Sequence, residues 1–271
     1  MSHQVSSKPS ERFSQYFHVS PALDEASRNE VYFIRHDVYA RELGFEPARE
    51  DQREIDRFDR HSVHCIVRTA DAARSPVGCA RLVKVDPANP QALLPFEIYC
   101  KDSLDRSIID PASLPRDRMA EVSRLAIMGG FRRRRGEQQP GVSIANADSG
   151  GGPTARFPNI PLSLYFAAVA LAQRNGIEYI FTLTEPRLAK HFAMIGVDIQ
   201  TIGKAVDHRG LRVPSMLRVS EIYPRLRALV RPLWHEVHAQ VNAGYMLHSA
   251  MQAYTEDDEP ALVSGFGEIS A

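Results

Sequence analysis

The stretch Ala120-Glu121-Val122-Ser123-Arg124-Leu125-Ala126-Ile127-Met128 reads as a strand, yet two opposite charges are set into it. Val122 falls on one side of an extended chain and Glu121 and Ser123 on the other. The apolar run Leu125 to Met128 follows, and Gly129-Gly130 end the segment, which predicts a half-buried strand. Glu and Arg are seldom buried unless they pair or hold a ligand. Glu121 and Arg124 therefore call for a partner or a substrate. Arg132, Arg133, Arg134 and Arg135 come immediately after.

The flanking sequence supplies the rest of a sheet. Residues 1–11 are polar and read as a loose end, and Phe13 to Val19 as a short strand. A helix follows Pro21 and Ser27, with Val31, Ile34 and Val38 on one face and Gly44 as its stop. It carries Arg35 and Tyr39, four positions apart and so expected to point the same way. The acidic turn 50–59 contains Glu54, Asp56 and Asp59. Val63–Thr69 and Val77–Val85 predict a hairpin around the turn residues 71–76, with Arg81 inside its second strand. Phe96 to Cys100 reads as an edge strand or a pocket wall. The Gly-rich segment 136–158 predicts a mobile loop or lid. Beyond it, Pro161–Arg174 reads as an apolar helix, 177–183 as a buried strand, 185–196 as a helix and 197–202 as a strand. This alternation belongs to the α/β class. From Ser220 the apolar steps of three and four predict a helical extension interrupted by Pro224 and Pro232. The expected organisation is thus one α/β domain over 12–219, a helical layer over 220–255, and flexible ends at 1–11 and 256–271.

Composition narrows the function classes. Thirty-three basic residues balance thirty-three acidic ones, so no global field steers the chain to nucleic acid or anionic lipid, and any charged partner must meet a local patch. The cysteines, Cys65, Cys79 and Cys100, are odd in number and not closely spaced, which argues against a disulfide framework and fits a reducing cytoplasm. The N-terminus has no apolar leader core, and no window is long enough for a membrane span. His61, His64 and Cys65 lie together without a second cluster at ligand spacing, so no metal site is expected. Cys65 and Cys79 fall in apolar strands, where a buried inert thiol is commoner than a nucleophile.

The order Arg35-x3-Tyr39, Gly44-Phe45, Glu54-x-Asp56-x2-Asp59, Arg81-Leu82 and Glu121-x-Ser123-Arg124 resembles the motif series of acyl-homoserine-lactone synthases and N-acyl amino acid synthases. Within this GNAT-like group it is most similar to the acyltransferase family associated with PEP-CTERM/exosortase systems. The resemblance runs through 32–46, 54–65, 78–83, 94–97, 120–135 and 158–210.

The resemblance implies a GNAT-like fold: a central mixed sheet splayed between strands 120–128 and 177–183, flanked by helices. A phosphopantetheine thioester would lie in the gap, its acyl chain in an apolar channel, and an amine would attack it with no covalent enzyme intermediate. No tightly bound cofactor is implied. Direct aminolysis needs an acceptor for the amine proton, the role expected of Glu121. It also needs a fixed donor to the oxyanion, expected of a backbone N–H between Leu125 and Ile127. Arg124 joins this catalytic set. An amino-acid acceptor would need a guanidinium for its carboxylate, from Arg35, Arg81 or Arg124. Tyr39, Phe45, Glu54, Asp56, Asp59 and Ser123 complete the expected substrate-binding set. For Asp56 and Asp59 the simpler reading comes first: they pair with Arg35 and Arg81 and hold the first helix over the sheet. Arg132 to Arg135 read, as a patch, as a grip on pantetheine phosphate and an acyl carrier protein. The compact Gly-rich loop usual for acetyl-CoA binding is interrupted by residues 136–158, which puts acyl carrier protein ahead of CoA as donor. Two rival readings remain open: a non-catalytic binding module on the same fold, and a lactone synthase using S-adenosylmethionine.

Overall fold

A computed structural model describes residues 9–132 and 160–257. The described chain begins with helix α1 (Pro9–Tyr16) and strand β1 (Phe17–Pro21), so the strand expected over Phe13–Val19 is helical up to Tyr16 and extended from Phe17; residues 1–8 of the expected loose end lie outside the described residues. Helix α2 (Glu25–Arg35) starts at Asp24, whose side chain accepts from the Ser27 N–H, a standard N-cap. It continues as a π-helical turn over His36–Glu42 and ends at Gly44 with φ +64, a left-handed stop that suits glycine.

The hairpin forms as expected, from β2 (Ser62–Thr69) and β3 (Pro76–Lys84). Helix α3 (Pro95–Tyr99) stands where an edge strand or a pocket wall was expected; the segment is helical, and Tyr99 and Ile98 do line cavities. Pro95 occupies its first position, and Glu97 Oε2 accepts from the Leu94 N–H at 2.8 Å, so local capping outweighs the strand preference of the segment. Then come β4 (Met119–Ile127), the short helix α4 (Gly129–Arg132), α5 (Ile160–Arg174), β5 (Tyr179–Thr184) and α6 (Pro186–Met194). The strand expected over 197–202 shrinks to β6 (Gln200–Thr201). A strand pair absent from the sequence reading follows, β7 (Val206–Asp207) and β8 (Leu211–Arg218). Helices α7 (Val219–Arg225) and α8 (Arg231–Asp257) close the described chain. The expected interruption at Pro224 is not found, since Pro224 lies inside α7; the break falls over residues 226–230, and Pro232 sits in the first turn of α8, where proline is tolerated. No helix among the described residues is long and apolar enough to cross a membrane.

The strands line up as β1-β2-β3-β4-β5-β8-β6, with β7 on β8. From β1 to β4 every pairing is antiparallel, and β4 to β5 is parallel. Strand alternation sends Cys65, Val67, Ala80 and Leu82 into one core with α5 and α8, and Ile66, Cys79 and Ala126 into another under α2. Helix α5 is buried nearly all round, as a helix enclosed between a sheet and a second helix must be. Gly78 marks the tightest contact beneath it: a Cβ there would meet Ala126 O at 2.7 Å and Leu164 Cδ1 at 3.2 Å. Gly78→Ala is expected to destabilise by about 1–3 kcal/mol, read as a lower urea midpoint. An unchanged midpoint would mean that β4 and α5 yield freely.

The feature that positions the site is the parting of β4 from β5. They pair only through Met119–Glu121 against Tyr179–Phe181, and β5 then runs on with β8 to Thr184. Beyond Glu121, the side of β4 that faces β5 has no strand partner among the described residues. This is the splay expected between the two strands.

Candidate active site

A cavity of about 150 Å³ lies in that parting. Strand β4 lends it Glu121, Ser123, Arg124 and Leu125, and the π-helical turn and its exit lend Tyr39 and Phe45. Asp56, Phe58, Arg81 and Tyr99 form one flank, and Tyr165, Glu185, His208, Arg209 and Arg212 the other walls.

Glu121 is 3% exposed. Its Oε2 accepts from the Phe96 N–H at 2.5 Å, and the Phe96 ring stacks on Phe181 at 4.2 Å between centroids. Helix α3 thus holds the carboxylate from its first turn. Burial pushes the Glu121 carboxyl up to about 7, against the Phe96 N–H and the Arg81 and Arg124 charges that favour ionisation. A carboxylic acid that titrates near neutrality can both take and return a proton at working pH.

Behind the cavity runs an ion network. Arg35, 0% exposed, donates from Nε to Glu54 and from Nη1 and Nη2 to the two oxygens of Asp59 at 2.6 and 3.0 Å. Arg81 donates from Nη1 to Asp56 at 2.7 Å and Asp59 at 3.1 Å, and from Nε to Ser123 Oγ at 3.2 Å. Arg124 reaches Glu54 and Glu46 at 3.0 Å and Asp56 at 3.3 Å. Burial alone would raise the Glu54 carboxyl, but Arg35 and Arg124 outweigh it and hold it at about 2. Asp59 is likewise held below the carboxylate range, with Arg35 and Arg81 overcoming burial. Burial, then Arg35, lowers His64 to about 3, which leaves it neutral beside Asp59, 3.7 Å away.

Arg124 has φ +50, which costs a non-glycine residue roughly 1–2 kcal/mol. The cause is a β-bulge. Cys79 pairs with Ala126 and Arg81 with Ser123, so Ala80 alone faces both Arg124 and Leu125. The network around the Arg124 guanidinium, which also lies over the Tyr39 ring at 5.5 Å, offsets the strain. The Tyr39 hydroxyl donates to Leu125 O at 2.9 Å and so fixes the peptide that follows the bulge from the cavity side.

Of the residues read from the sequence, Glu121, Arg124, Leu125, Tyr39, Phe45, Asp56, Arg81 and Ser123 line one cavity. Arg35 and Glu54, expected to bind substrate, do not line it, and Asp59 pairs with Arg35 and Arg81 as its simpler reading had it; the three brace Arg81 and Arg124 from behind. Arg35 and Tyr39 consequently serve different surroundings, parted where α2 passes into the π-helical turn. Ile127, 1% exposed, belongs to the apolar core, which leaves Leu125 as the cavity-lining member of the N–H pair. Arg132 pairs with Glu42; Arg133, Arg134 and Arg135 and the 136–158 segment lie outside the described residues.

The sequence reading missed α3 as the holder of Glu121 and missed the β7–β8 hairpin. That hairpin brings His208 against Tyr99 at 4.2 Å and pairs Arg209 with Glu46 and Arg212 with Glu185. Burial pushes the Cys65 thiol up to about 12 and raises Cys79 also, so neither is a thiolate at neutral pH. Among the described residues no group of His, Cys, Asp and Glu could hold a metal ion.

Residues 34–139 match the model of the acetyltransferase (GNAT) domain. The structure resembles that of TofI, solved in a ternary complex with an inhibitor and MTA: TM-score 0.51, 20% identity, covering 80% of this chain and 95% of that one. It also resembles BjaI, a CoA-dependent acyl-homoserine lactone synthase solved with SAM and isopentyl-CoA: TM-score 0.52, 17% identity, 80% and 89% covered. A third likeness is to the AHL synthase LasI: TM-score 0.50, 15% identity, 78% and 96% covered. No curated protein matches the sequence. At these identities the likeness is one of fold: a mixed α/β, GNAT-like sheet flanked by helices, with a C-terminal helix.

Proposed function

We propose that this chain is a GNAT-type N-acyltransferase that moves a fatty acyl group from a phosphopantetheine thioester to the amine of a small acceptor, an amino acid by preference. The observation that carries the reading is Glu121: a buried carboxyl titrating near 7, on the cavity wall where β4 and β5 part. A pantetheine arm enters such a parting by pairing with the strand edges left open. The amine nitrogen attacks the thioester carbonyl and Glu121 takes its proton. The C–S bond then breaks, and the proton returns to the leaving thiolate. The Leu125 N–H, at the bulge whose following peptide Tyr39 holds by the Leu125 carbonyl, serves the oxyanion, a donor worth about 2.7–4 kcal/mol in comparable sites. Arg81 and Arg124, held rigid from behind, meet the acceptor's carboxylate.

Acyl carrier protein is the favoured donor, because residues 136–158 interrupt the compact loop that would bind CoA. The assignment to the PEP-CTERM/exosortase-associated branch rests on the order of the sequence motifs. A cytoplasmic location is part of the same reading and is supported by three free, buried cysteines.

The test is thiol release from acyl-carrier and acyl-CoA thioesters with mixed amino acids, followed by mass spectrometry of the products. An N-acyl amino acid with stoichiometric thiol supports the proposal. Methylthioadenosine released from S-adenosylmethionine would move the chain to the lactone synthases, whose fold it shares. No release above background from either donor would leave a binding module.

A further inference from the structure

A second cavity, of about 250 Å³, opens on the far side of Phe58. Its floor is apolar, from Phe58, Val85, Leu94 and Ile98, and Arg57, Arg60, His61, Lys84 and Asp86 stand around it. The one carboxylate there is already engaged: Asp86 accepts from Arg60 at 2.7 Å and from the Ala88 N–H at 3.0 Å. Arg57 lies over the Phe58 ring at 4.8 Å, and Lys84 Nζ bonds Asn175 Oδ1 at 3.1 Å. Among the described residues neither cation has a carboxylate partner. The His61 side chain is 10% exposed and stands 3.9 Å from Asp86, and its Nδ1 is buried without a hydrogen-bond partner. A buried ring nitrogen left unpaired beside a hollow is the group a ligand would satisfy.

The two cavities share a wall. Phe58 lines both, Pro95 and Tyr99 of α3 line the first, and Leu94 and Ile98 the second. The same helix holds Glu121 through the Phe96 N–H.

We propose that this hollow is a second ligand site, for an amphiphilic monoanion such as a medium-chain carboxylate. Its apolar body lies on Phe58, Leu94 and Ile98, and its head is met by Arg57, Lys84 and His61. The occupant rests against the back of the wall whose front bounds the cavity of Glu121. The inference stands independently of whether the first cavity transfers acyl groups.

Octanoate, octanol and inorganic phosphate are titrated calorimetrically into the full chain, with methyl NMR to locate binding. Octanoate is expected to bind saturably, and octanol and phosphate at least roughly tenfold more weakly, since each lacks one half of the recognition. The Leu94 and Ile98 methyls should shift. Arg57→Gln with Lys84→Gln should weaken octanoate by roughly tenfold or more at an unchanged melting temperature. Should that pair fold poorly, Ile98→Trp fills the hollow with its charges kept and should abolish binding. The proposal is overturned by no octanoate binding, by octanol or phosphate binding as tightly, by unchanged affinity in these variants, or by shifts confined to Leu125 and Leu183 of the first cavity.

Discussion

Glu121→Gln is expected to lower kcat for thiol release by about 10²–10⁴-fold while the protein melts no lower than wild type at pH 8. The two halves come from one fact. The carboxyl ordinarily titrates at 4.5 and burial raises it to about 7, so the folded state binds more protons than the unfolded state between those values. Stability therefore falls as pH rises through that window, and above pH 7 the ionised buried group costs about 3 kcal/mol. Gln cannot ionise, and its carbonyl still accepts the Phe96 N–H. The variant should gain on wild type in melting temperature from pH 5 to pH 8 as its turnover is lost. Wild-type kcat/KM should rise with pH through about 7, because a general base must be ionised to act, and the variant should lose that limb. A variant that melts well below wild type at pH 8 yet keeps its turnover per folded molecule would make Glu121 a structural residue.

The sequence made the centre of the site legible and left its rim obscure, for reasons that lie in particular residues. Glu121 and Arg124 stand out because charge inside an apolar strand is costly enough to need a cause. The acid ladder Glu54, Asp56, Asp59 was visible, but a linear reading cannot tell a charge that faces a cavity from one that braces it. That distinction rests on the depth of Arg35, which follows from packing α2 on the sheet. β8 stayed hidden because Pro214 interrupts the pattern of 211–218, and proline counts against a central strand. Here Pro214 sits opposite Leu183, and its carbonyl still accepts from the Ile202 N–H at 3.0 Å. With β8 went the hairpin that carries His208, Arg209 and Arg212. Helix α3 was missed because its five residues are shorter than any periodicity can register. Its signals were Pro95 and Glu97, the marks of a helix start.

Arg35→Met should destabilise the fold by about 3–5 kcal/mol, the largest loss of stability expected from one substitution in this network. The side chain is 0% exposed, and Glu54 and Asp59 are 5% and 8% exposed. Removing the guanidinium strips both carboxylates of their closest donors and leaves negative charge in a dry site. Methionine replaces much of the volume, so the loss is electrostatic rather than a cavity. Arg124 still meets Glu54 and Arg81 still meets Asp59, which is why the network should weaken and not vanish. The pH dependence carries the diagnosis. In wild type both carboxyls are held below their ordinary values, so the stability they contribute is present above about pH 4 and is lost as pH falls through the lowered values. In the variant those values rise, protonation relieves the unpaired charge, and the gap between the two proteins should shrink from pH 7 to pH 3 in urea titrations. Arg35→Lys keeps the charge without the planar fork and should recover only part of the loss. A gap that stays constant with pH would assign the defect to packing. A stable Arg35→Met protein that has merely lost affinity for the acceptor would return Arg35 to the substrate-binding residues.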